Sequence, residues 1–140
     1  MHKAYVDGAC RPNPGRGAYG FIIYDPKDRE VKRENGPVGE KVTNNIAEYT
    51  AVIKAIRSAI AMGVDRLVVF SDSQLVVKQL NGDYRVYDPQ LKKLHTEALS
   101  LLEWLEQVKF IHISRKRNRL ADALANEYYN QTANFAAAGG

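Results

Sequence analysis

The run Leu67-Val68-Val69-Phe70 constrains the fold more than any other feature of the chain. Four β-favouring apolar residues in succession leave no polar face, so a strand over Arg66 to Phe70 must be covered on both sides, as the inner strands of α/β sheets are. Ser71-Asp72-Ser73 ends the run at a strand-to-helix junction, and a short helix is predicted to about Leu80.

The elements around it follow from periodicity and punctuation. Lys3 to Ala9 alternates and breaks at Arg11-Pro12-Asn13-Pro14-Gly15. Gly17 to Tyr24 is rich in β-favouring residues and turns at Asp25-Pro26-Lys27-Asp28 toward a polar third strand near Glu30 to Glu34, which makes the opening an antiparallel meander. A glycine-marked loop at Gly36 to Gly39 leads to Thr43-Asn44-Asn45, which offers N-cap residues to a helix running to about Met62, with Gly63 as its stop. Asp88-Pro89 caps and starts a further helix whose apolar stripe runs from Leu91 to Leu105. A last strand at Val108 to Ile113 and a helix from Arg119 to about Gln131 follow. This order implies one α/β domain, a mixed sheet with helices on both faces. The expected domain is residues 1–131; residues 132–140 form an alanine- and glycine-rich tail whose Phe135 either docks on the body or frays with a disordered end.

Four acids sit where this pattern calls for core or for a helix start. Asp7 lies inside the first strand and Asp72 directly follows the buried one. Glu48 has Ala51, Val52 and Ala55 three, four and seven positions later, which places its carboxylate on the apolar face of the helix, toward the sheet. Asp122 occupies the first turn of the last helix, on the side of Ala125 and Tyr129. Each alone has an ordinary explanation: an exposed or hydrogen-bonded strand aspartate, a capping-box glutamate paired with Asn45, an acid favoured by a helix dipole. Together they could meet at one end of a sheet, where like charges need a counter-ion.

Composition narrows what that ion can be. Cys10 is the lone cysteine and the three histidines are scattered without zinc-type spacing, so a metal here takes oxygen ligands. Two magnesium ions held by carboxylates and water meet the need, one side activating a water and the other stabilising a leaving oxygen, as in phosphodiester hydrolysis. The net charge of +4 and pI near 9.2 accord with a polyanionic partner. No apolar run approaches the ~18 residues of a membrane span. Asp7 arrives too early for a secretory leader, so the expected location is cytoplasmic, with no membrane partner.

The segments Asp7-Gly8-Ala9-Cys10-Arg11-Pro12-Asn13-Pro14-Gly15, Thr43-Asn44-Asn45-Ile46-Ala47-Glu48, Ser71-Asp72-Ser73-Gln74 and Asn118-Arg119-Leu120-Ala121-Asp122-Ala123-Leu124-Ala125 resemble the type 1 ribonuclease H family, whose four motifs occur here in order across roughly residues 3 to 130. The resemblance implies a ribonuclease H-like mixed five-stranded sheet in the order 3-2-1-4-5. It implies an endonuclease that hydrolyses the RNA strand of an RNA/DNA hybrid with two Mg2+ ions, Mn2+ as a substitute, leaving 5′-phosphate and 3′-hydroxyl ends. On that resemblance Asp7, Glu48, Asp72 and Asp122 are the catalytic, metal-binding acids, with Asp7 bridging both ions. Cys10, Asn13, Asn44, Asn45 and Gln74 become contacts to the RNA strand, and Thr43 with Asn13 a holder of a DNA phosphate. Short amides and backbone N–H groups suit 2′-hydroxyls in a wide minor groove. One of Asn44 and Asn45 is expected to cap the helix and the other to bind substrate, and the chain is expected to act as a monomer.

Two departures from the family pattern follow. Many relatives carry a basic helical protrusion that grips the hybrid, whereas only Asn81-Gly82-Asp83-Tyr84-Arg85-Val86-Tyr87 separates the helices here. Binding then leans on Lys78, Arg85, Lys92, Lys93 and the run Arg115-Lys116-Arg117, unless that run is simply a solvated face. The loop where relatives place a proton-transferring histidine reads Ser114-Arg115-Lys116-Arg117-Asn118; His112 is assigned to the last strand as a structural residue. Arg115 takes over part of the electrostatic role without being a proton shuttle near neutral pH. The alternative reading is a catalytically silent hybrid-binding module of the same fold. A phosphatase with an aspartyl nucleophile is disfavoured because Ala9 stands at its second aspartate position, and an integrase-like transferase because 140 residues leave no room for added DNA-binding parts.

Overall fold

In the computed structural model, which describes the backbone of residues 1–139 and their side chains apart from those of 129 and 131–139, β1 (His2–Arg11), β2 (Gly15–Tyr24) and β3 (Glu30–Val42) form an antiparallel meander. β4 (Arg66–Ser71) and β5 (Gln107–His112) add in parallel on the other side of β1, so the sheet has the order β3-β2-β1-β4-β5. This is the mixed sheet that the pattern of runs implies. α1 (Asn44–Ala61), α2 (Gln74–Leu80) and α3 (Pro89–Leu101) gather on one face, and α4 (Arg119–Gly139) crosses the other against β2, β1 and β3.

The alternation of β1 sends Ala4 and Val6 toward α1, where they join Phe21, Ile23, Leu67 and Val69 beneath Val52, Ala55, Ile56 and Ala59, all essentially without exposure. Each such valine, isoleucine or phenylalanine contributes about 1.5–3 kcal/mol. One polar cross-link runs through this core: Tyr49 Oη donates to Gln79 Oε1 at 2.7 Å, and His95 Nε2 lies 3.1 Å from the Gln79 carbonyl, joining α1, α2 and α3. Satisfied in this way, the polar atoms fix the helices' relative placement without a desolvation penalty.

Several boundaries differ from the sequence reading. β3 continues through Gly36 to Gly39, which the sequence marks as a loop, and pairs with β2 as far as Gly15↔Val42 through register shifts. The glycines serve close approach there, since a Cβ on Gly36 would lie 2.8 Å from the Tyr19 ring. Thr43 alone caps α1, its hydroxyl accepting from the Ile46 N–H at 3.2 Å, so neither Asn44 nor Asn45 has the capping role expected of one of them. α3 stops at Leu101, short of Leu105, and a 3-10 turn at Leu102–Trp104 follows before Leu105 turns extended into the core. α4 runs past the end expected at Gln131 to Gly139; whether Phe135 docks is a matter of side chains outside the described residues.

Two glycines set how closely helices reach the sheet beside Asp7. A Cβ on Gly8 would lie 2.4 Å from the Ala47 carbonyl carbon and 2.5 Å from the Glu48 nitrogen, so the backbone of α1 rests directly on β1. Gly20, the cross-strand partner of Asp7, plays the same part on the other face, where a Cβ would lie 2.7 Å from the Ala125 nitrogen and 2.8 Å from the Ala121 oxygen. Gly20→Ala is therefore expected to cost about 2–3 kcal/mol in urea unfolding, because rigid backbone has to move. An unchanged midpoint would show that α4 is not seated on this glycine.

Candidate active site

The parallel pairing of β1 with β4, whose last register pair is Val6↔Ser71, brings Asp7 and Asp72 side by side where β4 ends against the middle of β1. Glu48 enters from the second turn of α1, where Gly8 lets the helix close down and donates its own N–H to the Glu48 carboxylate. Asp7, Glu48 and Asp72 each present an oxygen within 4.8 Å of the other two. Asp122, in the first turn of α4, comes within hydrogen-bonding reach of Asp7, and Asn126 Nδ2 donates to its Oδ1 at 3.1 Å. Glu48 lies beyond the capping-box position, since Thr43 is the cap, so its burial belongs to the acid cluster and not to helix capping.

Packing has buried two of these like charges beside the others. Asp7 is 4% exposed and Glu48 8%. Burial first, and then the Glu48 and Asp72 charges, push Asp7 far above the usual carboxylate range. Burial likewise pushes Glu48 up to about 8, although a hydrogen bond with Asp7, and then the Gly8 N–H and the nearby Arg115, pull the other way. Glu48 Oε2 is fully buried and has no hydrogen-bond partner. An orphaned carboxylate oxygen beside two further carboxylates is what a hard cation with oxygen ligands would satisfy, so the donor set fits a divalent metal.

The acids open onto a pocket of about 330 Å³ that Cys10, Asn44, Asn45 and Arg115 also line. Of the other residues singled out in the sequence, Asn13 sits beside the pocket with its Oδ1 accepting from the Asn44 N–H at 3.2 Å, while Thr43 is spent on the helix cap. Cys10 turns its thiol inward, 2.9 Å from the Val42 carbonyl, and so ties the end of β1 to the end of β3. Gln74 is exposed at the start of α2, and His112 is exposed at the end of β5, paired with Ser71 but not lining the acid pocket. Lys116 and Arg117 line a different pocket, on the far side of the 3-10 turn Arg115–Arg117.

Sequence reasoning passed over Asn118 as a site residue. It is 1% exposed, and its Nδ2 donates both to the Val6 carbonyl at 2.8 Å and to Asp72 Oδ2 at 3.2 Å. Its backbone carbonyl accepts the Asp122 N–H at 3.1 Å, so one residue positions two acids. The available signal was an asparagine directly before a helix start, which reads as a cap. The side chain instead reaches across to the central strands.

A mixed sheet in this order, with carboxylates gathered where β4 ends beside the middle of β1, defines a ribonuclease H-like domain. The family described as "Reverse transcriptase-like" matches residues 5–128. Ribonuclease HI of Halobacterium salinarum is 41% identical over 124 residues, covering 89% of this chain and 62% of that protein, so the chain spans less than two-thirds of this relative's length. The crystal structure of RNase H1 from the same archaeon superposes with a TM-score of 0.89 at 38% identity, over 93% of this chain and 98% of that one. LC11-RNase H1 in complex with an RNA/DNA hybrid superposes at 0.90 with 33% identity, over 95% and 99% of the two chains. The chain belongs to the type 1 ribonuclease H family, which is metal-dependent.

The raised acids make a pH prediction for the metal-free protein. A carboxyl that holds its proton more tightly when folded contributes stability below its ordinary pKa and loses it as pH rises toward the folded value, here from about 4.5 to about 8 for Glu48 and over a wider span for Asp7. In EDTA, Asp7→Asn should therefore be more stable than wild type, by a margin that widens between pH 5 and pH 8 to about 2 kcal/mol in urea unfolding. A margin that shrinks with rising pH would contradict the buried, like-charged cluster.

Proposed function

We propose that this chain is an endoribonuclease that hydrolyses the RNA strand of RNA/DNA hybrids using two Mg2+ ions, with Mn2+ as a substitute, leaving 5′-phosphate and 3′-hydroxyl ends. The observation that carries this reading is the orphaned Glu48 oxygen in a cluster with Asp7 and Asp72, at the floor of an open polar pocket. The hybrid held by LC11-RNase H1, a structure of the same fold at 33% identity, supports the choice of substrate. All four acids come from one chain, which suits a monomer, and no helix among the described residues is long and apolar enough to cross a membrane. A cytoplasmic location is part of the same reading.

The roles divide by position. Asp7 is central and in reach of Glu48, Asp72 and Asp122, and in this reading its carboxylate would be common to both ions. Glu48 and Asp72 would hold a cation together with Asp7, and the more exposed Asp122 would contribute from the start of α4. Divalent cations bound there supply the charge that readies a water for attack and stabilises the leaving oxygen. Asn118 holds Asp72 against β1, and Asn44, Asn45 and Asn13 form the polar rim over which the RNA strand's sugars would pass. Gln74, Thr43 and Cys10 would touch substrate through backbone or after a shift of their present bonds. Arg115 faces the acids across the pocket, where a guanidinium suits the scissile phosphate. The missing protrusion would be replaced by Lys78, Arg85, Lys92 and Lys93 around the exposed Tyr84 and Tyr87, with the Lys78 ammonium 5.1 Å from the Tyr84 ring centre.

The test is incubation of the protein with end-labelled RNA/DNA hybrid, DNA duplex and RNA duplex, in magnesium or EDTA, beside Asp7→Asn. The expected result is magnesium-dependent internal cutting of the hybrid's RNA strand alone, lost in the variant. Hybrid binding without cutting would make the domain a silent binding module. In the same assay Arg115→Ala should lower kcat by about tenfold to a hundredfold with a smaller effect on KM. An unchanged kcat would remove Arg115 from the chemistry.

A further inference from the structure

Among the described residues, the sheet face that carries α4 is covered on one half only. α4 packs on β2, β1 and β3, while on the side of β4 and β5 Phe70 is only partly buried and Ile111, its register partner, is 41% exposed. Tyr5, next along the sheet, stacks on Phe70 with ring centres 4.8 Å apart at 20°, and Tyr24 meets Tyr5 edge-on at 5.8 Å. Beside these rings lies a pocket of about 350 Å³ between Tyr5, Ile22, Tyr24 and the start of α4, where Leu120 is 54% exposed.

The rim of this pocket is cationic. Lys116, Arg117 and Arg119 line it, and among the described residues none of the three forms a salt bridge; Lys3, at the other edge, is matched by Asp28 at 2.8 Å. The basic run is thus divided by its 3-10 turn: Arg115 lines the acid pocket, while Lys116 and Arg117 line the aromatic one. Asn118, whose amide holds Asp72, forms part of the wall, so the aromatic pocket backs onto the acid cluster.

We propose that this pocket is a second nucleic-acid site, which takes a base from a single-stranded segment continuing out of the acid cleft. Rings on adjacent central strands of an open sheet face, with unpaired cations beside them, match a polyanion whose every unit also carries a flat apolar group. Stacking of this kind is tolerant of base identity, so the site would read strand flexibility and not sequence. Only the source of the strand rests on the hybrid-cleaving reading; the pocket does not.

The experiment measures binding in EDTA by fluorescence anisotropy, using a blunt RNA/DNA hybrid, the same hybrid with oligothymidylate appended in turn to each strand end, and free oligothymidylate. Wild type should bind one extended hybrid about tenfold more tightly than the blunt one. Tyr5→Leu and Leu120→Glu should both lose that gain and weaken free oligothymidylate binding, with blunt-hybrid binding and magnesium-dependent cutting as in wild type. Equal affinity for blunt and extended hybrids, or a gain that survives both substitutions, overturns the proposal. Should Tyr5→Leu fail to fold, the exposed Leu120→Glu decides alone. Should the blunt hybrid be neither bound nor cut, the hybrid reading fails, and free oligothymidylate still tests the pocket through Leu120→Glu: binding that this variant weakens supports the site, and absent or unaltered binding overturns it.

Discussion

Everything around the acids depends on two helix backbones being allowed to touch the sheet. Gly8 seats the first turns of α1 on β1, and Gly20 seats α4 on β2 directly opposite Asp7. With any side chain at either position the helices would stand off and the carboxylates they carry would no longer converge. The cost of convergence is electrostatic: two buried acids with raised pKa and an oxygen without a partner. The apolar layer between α1 and the sheet supplies the stability that tolerates it. A cluster unfavourable to the empty fold is then poised for cations.

Periodicity made most of this architecture legible. The unbroken apolar run of β4 demanded cover on both faces, and the meander, the helix spacing and the four motifs gave the sheet's composition and the acids' elements. What periodicity could not carry was contact across the fold. Gly36 reads as a loop because nothing local shows that Tyr19 passes over it. Asn44 and Asn45 read as caps because Thr43 competes for the same role one residue earlier, and geometry at the helix entry settles the choice. Asn118 reads as a cap although its amide is needed by Val6 and Asp72, 112 and 46 positions away in the chain. Lys116 and Arg117 read as one patch with Arg115 because a 3-10 turn that separates them onto two pockets leaves no mark on composition.

The two pockets suggest how a short domain of this family could manage a long substrate. In the proposed reading the acid cleft would supply the chemistry and a polar rim, and the basic surface near α2 and α3 would supply phosphate contacts in place of a protrusion. The Halobacterium protein is longer than this chain, which matches it over 62% of its length. Within the domain itself, the acids, their positioning asparagine and the arginine opposite are all present on one chain.

The central claim is that the four carboxylates form a divalent-cation site centred on Asp7. Calorimetric titration of the EDTA-stripped protein with Mn2+ near neutral pH, repeated in two buffers of different ionisation enthalpy, tests it most directly. The expected result is saturable binding that releases protons to the buffer and is lost in Asp7→Asn, because cations displace protons held by the raised acids. Binding that releases no protons, or that persists unchanged in Asp7→Asn, would contradict it.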